Sequence, residues 1–195
     1  MPHHWLRGFE VWVACTTDVE TAGLLSFSRY ETPEANTVAH RASAPYKAFR
    51  AAVGEESLLE RPSDLRFWRP TGIGFLGRPG IVNLMKKDTD PHCQYAVVTE
   101  LNPGSGMKGQ ALTELRKVAD LAANTASVAS FLVLHRGEVD TDESIYVFSL
   151  FNTKTEAQTF DGGEAGGIWK RLEEICESRR TTWVSCGIGF IGRSL

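Results

Sequence analysis

The segment GIGFLGR at residues 72–78 occurs a second time as GIGFIGR at residues 187–193. Trp68 and Trp183 stand four residues before the first glycine of their copies, so the spacing is constant from tryptophan to arginine. A weaker match aligns residues 26–40 with 147–161 through a shared Phe-Ser and a shared Glu-Ala. A repeat at fixed spacing predicts two copies of one structural unit.

Both copies also spell G-x-G-x-x-G, the pattern of a dinucleotide-binding turn. That function requires a helix directly after the glycines, because the N-terminal N–H groups of the helix hold the pyrophosphate. Pro79-Gly80 interrupts the first copy, and Ser194 and Leu195 alone follow Arg193. Pro and Gly at this position oppose helix formation. We therefore interpret both segments as the last strands of two related units.

The second copy shows a β-α-β-β-α-β order of elements. Its three early strands fall in the β-branched and apolar segments CQYAVVTEL, SFLVLHRG and SIYVFSLF, the last two joined as a hairpin. A helical spacing of apolar residues follows the first strand, and a loop and a second helix with Ile168, Leu172 and Ile175 on one side follow the hairpin. WVSCGIGFIG closes the unit. This order is the ferredoxin-like split unit.

The hairpin strands are apolar almost throughout, which predicts burial on both faces of the sheet. Helices cover one face, and the other copy can supply a second sheet for the other. We therefore predict an α+β protein in which two ferredoxin-like units pack as a dimeric α+β barrel within one chain. Gly74 and Gly189 are expected to permit a bulge or a close backbone approach where the sheets meet.

The first copy is shorter at its front than the second. Eight residues precede Phe9, whereas a strand and a helix need about 25 residues. We predict a first unit at 1–85 without its first strand and helix, a linker at 86–92 and a complete second unit at 93–195. Either the unit is truncated or a partner supplies the edge, so a homodimer through the incomplete unit is one expectation.

Composition excludes several classes of partner. The formal net charge of −3 gives no electrostatic footprint for nucleic acid. The sequence has no apolar run long enough to span a bilayer, and its start lacks the pattern of a signal peptide. The four cysteines have no C-x-x-C spacing, which favours reduced thiols in a cytoplasmic protein over disulfides or a metal site.

The segment YETPEANTVAHRASAPYKAF at residues 30–49 resembles the central motif of antibiotic-biosynthesis-monooxygenase-like proteins of the dimeric α+β barrel superfamily. In those proteins a strand ends in an aromatic-Glu pattern, and a helix start with Ala, His, Ser and an aromatic residue follows. The resemblance implies a monooxygenase that oxidises an anthrone or polyketide-like aromatic molecule. It implies molecular oxygen as co-substrate, no cofactor and no metal. The second copy has Phe151-Asn152 in place of Tyr30-Glu31 and lacks the histidine.

Seven residues are candidates for the site. His40 is the candidate base, since the pKa of an unperturbed histidine lies near neutrality. Tyr30 and Arg29 are expected to orient a phenolate, and Trp68 and Trp183 either stack on a planar ligand or fill the core. His135 and Asn152 end the two hairpin strands, and we expect them at one mouth of the sheet, either as site residues or as solvated strand ends.

Two other functions use the same fold. One is a non-catalytic ligand-binding or dimerisation module, and the other is a cofactor-free isomerase, cyclase or decarboxylase. Haem degradation would require an axial histidine, for which His40 is available. Fold alone does not choose between these functions.

Overall fold

The computed structural model describes residues 10–16, 24–30, 32, 34–57, 66–78, 94–136 and 143–190. The first unit contains strands β1 (Glu10–Thr16) and β2 (Leu24–Arg29), a π-helical segment (Ala35–His40), helix α1 (Ala44–Glu55) and strand β3 (Trp68–Phe75). The second contains β4 (Tyr95–Pro103), α2 (Lys108–Asn124), β5 (Val128–Arg136), β6 (Ile145–Phe151), α3 (Lys154–Gly162), α4 (Glu164–Ile175) and β7 (Cys176–Phe190). The predicted fold class is confirmed, while the domain boundaries remain a prediction.

The second unit differs from the sequence prediction in one element, because the expected loop after β6 is the helix α3. A capping box starts this helix. The Thr153 side chain accepts a hydrogen bond from the Glu156 backbone N–H, and the Glu156 carboxylate accepts one from the Thr153 N–H. Satisfying these otherwise unpaired N–H groups stabilises a helix start. Gly163, which follows the last residue of α3 and precedes the first residue of α4, separates the two helices.

The seven strands form one antiparallel sheet in the order β2-β1-β7-β4-β6-β5-β3. The long strand β7 pairs with β4 of its own unit through residues 176–184 and with β1 of the other unit through residues 183–190. In the same way, β3 of the first unit pairs with β5 of the second. Each unit therefore places its last strand beside the second strand of the other unit, as an intrachain barrel requires.

Both copies of the repeat are strands, and both carry an irregularity at the same place. The register of β3 against β5 shifts between Pro70 and Ile73. The register of β7 against β1 shifts between Ser185 and Ile188, the equivalent positions of the second copy. Residues inserted in this way bend a strand and increase its twist. The repeated segment is thus a bulged strand at the junction of the two units.

Gly74 confirms the predicted close approach of the backbones. Its φ is +95°, and a Cβ atom at this position would lie 2.0 Å from the carbonyl oxygen of Phe131 on β5. The matching Gly189 pairs with Trp12, directly beyond the second bulge. A side chain at residue 74 would push β3 away from β5.

The core lies on both faces of the sheet, as the continuous apolar strands predicted. On one face, strand residues such as Val97, Phe131 and Val147 pack against α2, α3 and α4 in what we call the helix-side core. The opposite face carries the inner-face core, formed by Ala96, Val98, Ala129, Leu134, Tyr146, Phe148 and Leu150. Every residue of β6 is buried, because its side chains alternate between the two cores.

Arg78, the last residue of the first repeat, joins the two units at the end of α2. Its guanidinium group donates hydrogen bonds of 2.6–3.0 Å to four carbonyl oxygens, those of Ala122, Ala123, Thr125 and Val128. The last carbonyls of a helix lack partners within the helix and carry partial negative charge. Arg78 therefore caps the first helix of the second unit.

Two further sequence predictions concern cysteine and the membrane. Cys176 is a buried free thiol, and the predicted state of the other three cysteines lies outside what the structure describes. Among the described helices, none has the length and apolar character needed to cross a bilayer.

Candidate functional site

The predicted base His40 lies between two tyrosine rings. The ring centroids of Tyr30 and His40 are 5.6 Å apart at an interplanar angle of 61°. Those of His40 and Tyr46 are 4.8 Å apart at 62°. Both are edge-to-face contacts, which hold an aromatic ring in one orientation. The structure thus brings the predicted residues Tyr30 and His40 together. We call Tyr30, Asn36, His40 and Tyr46 the histidine cluster.

Local sequence signals place these side chains. The Thr32 hydroxyl accepts a hydrogen bond from the Ala35 backbone N–H and starts the π-helical segment. His40 ends that segment, and the Ser43 hydroxyl then accepts the Tyr46 N–H as the N-cap of α1. A serine at this position satisfies one of the unpaired N–H groups at a helix start. The turn between the two helical segments therefore directs Tyr46 back onto the imidazole.

Burial keeps the imidazole neutral. It lowers the pKa of His40 below the ordinary value of 6.5, and the positive charge of Arg41 lowers the pKa further. Burial also raises the pKa of Tyr30, while hydrogen bonds with Asn36 and Ser28 act in the opposite direction. At neutral pH the cluster thus holds an unprotonated imidazole beside a protonated phenol, which are the forms that a general base and a hydrogen-bond donor require.

Asn36 belongs to the cluster and was not singled out from the sequence. It is 7% exposed, and its side-chain oxygen Oδ1 is buried without a hydrogen-bond partner among the residues that the structure describes. Its position four residues before His40 was the available signal. That signal is weak, because an asparagine near a helix start is usually explained by local backbone hydrogen bonds.

The predicted tryptophans lie elsewhere, at the margin of the inner-face core. The Trp68 ring packs on Tyr146 with centroids 5.0 Å apart, and the Arg136 guanidinium lies 5.7 Å from the centroid of Trp68. The Trp183 ring nitrogen donates a 2.9 Å hydrogen bond to Thr181. Both rings pack against the inner-face core, and each remains partly exposed.

The expectation that His135 and Asn152 share one mouth of the sheet is wrong. The strands β5 and β6 are antiparallel, and His135 pairs with Ile145 at the start of β6. Asn152 follows Phe151, which pairs with Val128 at the opposite end of β5. Ends of consecutive antiparallel strands point in opposite directions, so the two residues are separated by the length of the hairpin. Asn152 is exposed, and its backbone N–H donates to Glu156.

The second unit has no equivalent of the histidine cluster. Asp161 takes the place of His40 in the alignment of the copies, and its carboxylate accepts a hydrogen bond from Arg180. The Arg180 guanidinium lies 5.6 Å from the ring centroid of Trp169. Burial raises the pKa of Asp161 and the arginine opposes this effect. These contacts describe a structural ion pair at the position that His40 occupies in the first unit.

Two observations limit other kinds of site. Among the described residues, no three His, Cys, Asp or Glu side chains are grouped as a metal ion would require. An open depression of about 480 Å³ lies between the end of β4 and the junction of α4 and β7, lined by residues 102–104 and 173–177. It contains none of the predicted site residues.

For Arg29 the structure defines the backbone, which pairs with Glu10.

Comparisons with known proteins show similarity in structure and not in sequence. No protein-family model matches this chain, and no curated protein matches it significantly. A candidate monooxygenase from Fusobacterium nucleatum matches with a TM-score of 0.66 and 8% identity, over 96% of this chain and 82% of that one. One from Lactobacillus acidophilus matches with a TM-score of 0.67 and 8% identity, over 96% and 83%.

A third solved structure, an anthrone oxidase-like protein, matches with a TM-score of 0.58 and 15% identity, over 93% of this chain and 80% of that one. At such identities the similarity establishes the fold alone. The chain therefore has the α+β barrel architecture of these proteins, with the same two-unit organisation.

Proposed function

We propose that this protein is a cofactor-independent monooxygenase of the antibiotic-biosynthesis-monooxygenase-like family, acting on an anthrone or polyketide-like aromatic molecule. The observation that carries the proposal is the neutral imidazole of His40, oriented by Tyr30 and Tyr46. The anthrone oxidase-like and monooxygenase neighbours support it at the level of fold.

The proposed reaction needs a base and no electron donor other than the substrate. His40 removes a proton from the acidic C–H carbon that lies opposite the carbonyl of an anthrone. The resulting enolate donates electrons to molecular oxygen, and a C–O bond forms. The imidazolium of His40 returns its proton to the outer peroxide oxygen. Cleavage of the O–O bond with transfer of the second C–H proton to that oxygen then leaves a carbonyl on the substrate and releases one water. Tyr30 donates a hydrogen bond to the enolate oxygen.

The experiment that tests the proposal is oxygen uptake with anthrone. We expect the wild-type protein to consume oxygen, and His40→Ala to lower kcat by about 100-fold or more, the usual contribution of a general base. His135→Ala serves as the matched comparison, because it removes an imidazole from the other predicted position. Loss of activity in His135→Ala with normal activity in His40→Ala would place the base elsewhere. No uptake by the wild-type protein would refute the proposed reaction.

The dependence on pH gives a second test. A base acts when it is unprotonated, so kcat/KM rises with pH through the pKa of His40 in the free enzyme. Because burial lowers this pKa, the acid limb should have its midpoint below 6.5 and more than half of the maximal kcat/KM should be reached at pH 7. A midpoint above 6.5 would show that another group controls the reaction.

A non-catalytic ligand-binding module is the second candidate, and the packing of Trp68 on Tyr146 favours it. Aromatic rings that fill the inner-face core leave less room for a substrate between the sheets. Such a module would bind an aromatic ligand without consuming oxygen, so the same experiment with a binding readout separates the two functions.

We also propose that two copies associate through the first unit. Helix α1 buries none of its residues among the described part of the chain, whereas α4 of the second unit buries Ala165, Ile168, Trp169 and Leu172. Val38 of the π-helical segment and Phe49 of α1 have side chains that are 63% and 59% exposed. Large apolar side chains exposed on an uncovered helix favour association.

A further inference from the structure

We infer that the Asn36 side-chain oxygen is a substrate-binding acceptor, and that the substrate carries a hydroxyl hydrogen-bond donor. The inference deepens the proposed function, on which it rests. Asn36 is 7% exposed, and its Oδ1 atom is buried with no hydrogen-bond donor from the described part of the chain. A buried acceptor that gains no hydrogen bond destabilises the folded protein, so such groups are rare and mark places where a ligand or a water completes the bonding.

The orientation of the amide follows from its contact with Tyr30. A hydrogen bond links the Asn36 side chain to the Tyr30 phenol. Since Oδ1 has no partner, the amide nitrogen must make this bond, with its N–H donating to the phenol oxygen. The phenol thus fixes the amide plane, and the free acceptor is held in the histidine cluster instead of rotating toward solvent.

The backbone places this acceptor beside the base. Residues 35–40 form a π-helical segment, a rare conformation that recurs at functional sites. With somewhat more than four residues per turn, residues four apart project from nearly the same side of a π-helix. Asn36 and His40 therefore share one side of the segment. A ligand that contacts the His40 ring is within reach of the Asn36 amide.

The substrate group that can bind Asn36 follows from the hydrogen-bonding properties of its Oδ1 atom. An amide oxygen accepts hydrogen bonds and donates none. A phenolic hydroxyl can donate a hydrogen bond to Oδ1. A methoxy group has only an acceptor oxygen and would leave Oδ1 without a hydrogen bond. Sites built to bond a hydroxyl discriminate strongly against analogues that lack it. We expect a preference for hydroxyl over methoxy on the order of tenfold or more.

The test measures binding, without turnover, in the absence of oxygen. The probes are 2-naphthol and 2-methoxynaphthalene, and their dissociation constants are measured by calorimetry. The wild-type protein should bind 2-naphthol at least tenfold more tightly. Asn36→Leu and Asn36→Ala should bind both probes equally. Asn36→Asp retains an acceptor oxygen and should retain the preference.

Equal affinities in the wild-type protein, or binding of neither probe, would overturn the inference and would assign Oδ1 to a water. A preference that survives in both apolar variants would also overturn it. The outcome is separate from that of the proposed reaction. Oxygen uptake without a hydroxyl preference refutes the role of Asn36 alone, and a preference without oxygen uptake refutes the monooxygenase alone.

Discussion

At the scale of single residues, the contacts of Arg78 give a structural reason for the arginine that ends the first copy of the repeat. Its planar guanidinium, three residues beyond β3, reaches four carbonyl oxygens at the end of α2 and the start of β5. A lysine ammonium cannot reproduce this geometry, because its donors spread from a single nitrogen atom. The arginine also places a positive charge at the negative end of the helix dipole.

We predict that Arg78→Ala lowers the free energy of unfolding by about 2–4 kcal/mol, since it leaves several partly buried carbonyls without a partner. Arg78→Lys should recover less than half of this loss. Arg69→Ala, a change at an exposed arginine within β3, should cost less than about 0.5 kcal/mol. Urea denaturation measures all three, and equal costs for residues 69 and 78 would contradict the capping role.

The sequence predicted the site at residue scale in part. The motif at residues 30–49 led to Tyr30 and His40, which the fold brings together. Asn36 was missed because an unsatisfied acceptor becomes visible only when every neighbouring donor is placed. Trp68 and Trp183 could not be assigned to ligand or core, since an aromatic residue in a strand suits both until the packing is known.

At the scale of elements, the approach of β3 to β5 depends on the glycines of the repeat. Gly72 and Gly74 both have positive φ values, +79° and +95°. They differ in their surroundings, because a Cβ at Gly72 would meet no atom within 4 Å whereas one at Gly74 would collide with the Phe131 carbonyl. Alanine substitutions at the two glycines can therefore distinguish the free-energy cost of the backbone conformation from that of the collision with Phe131.

We predict that Gly72→Ala lowers the free energy of unfolding by about 1–2 kcal/mol, the cost of a left-handed conformation. Gly74→Ala should cost at least about 3 kcal/mol, because β3 must also move away from β5. Thermal or urea unfolding of the two variants is the measurement. Similar losses in both would show that the backbone contact at residue 74 relaxes freely.

Element types followed from sequence better than element ends. The continuous apolar runs predicted the strands β5 and β6 and their burial on both faces of the sheet, because a run that does not alternate with polar residues is typical of a fully buried strand. Helix α3 was missed, since its apolar face is short and its capping box resembles a polar loop. The positions of His135 and Asn152 were wrong because strand direction, not proximity to a strand end, decides which side chains meet.

At the scale of the whole molecule, the sheet of the first unit is less complete than that of the second. In the described part of the chain, β2 and β3 are the end strands of the sheet. In the second unit the equivalent strands, β6 and β7, both pair with the first strand β4. Among the described residues, the repeat therefore leaves a position one strand wide in the first unit.

We predict that the protein is a dimer at micromolar concentration and that Phe49→Glu shifts it to monomer, because the charge would be desolvated at the interface. Met107→Glu is the matched control, a change at a 40% exposed apolar residue of the second unit, and should leave the dimer intact. Sedimentation velocity distinguishes the species. A monomeric wild-type protein, or a dimer unaffected by either change, would contradict the proposed association.

The exchange of last strands limits how the chain of such a protein can be cut, and how its two halves can be separated in evolution. Strand β7 completes the sheet of the first unit, and β3 completes that of the second. A cut in the linker would therefore yield two halves that each lack an edge, although together they hold every strand of the whole. The two copies are repeats in sequence but not modules in folding, so neither half is free to be lost, moved or fused to another protein without the other.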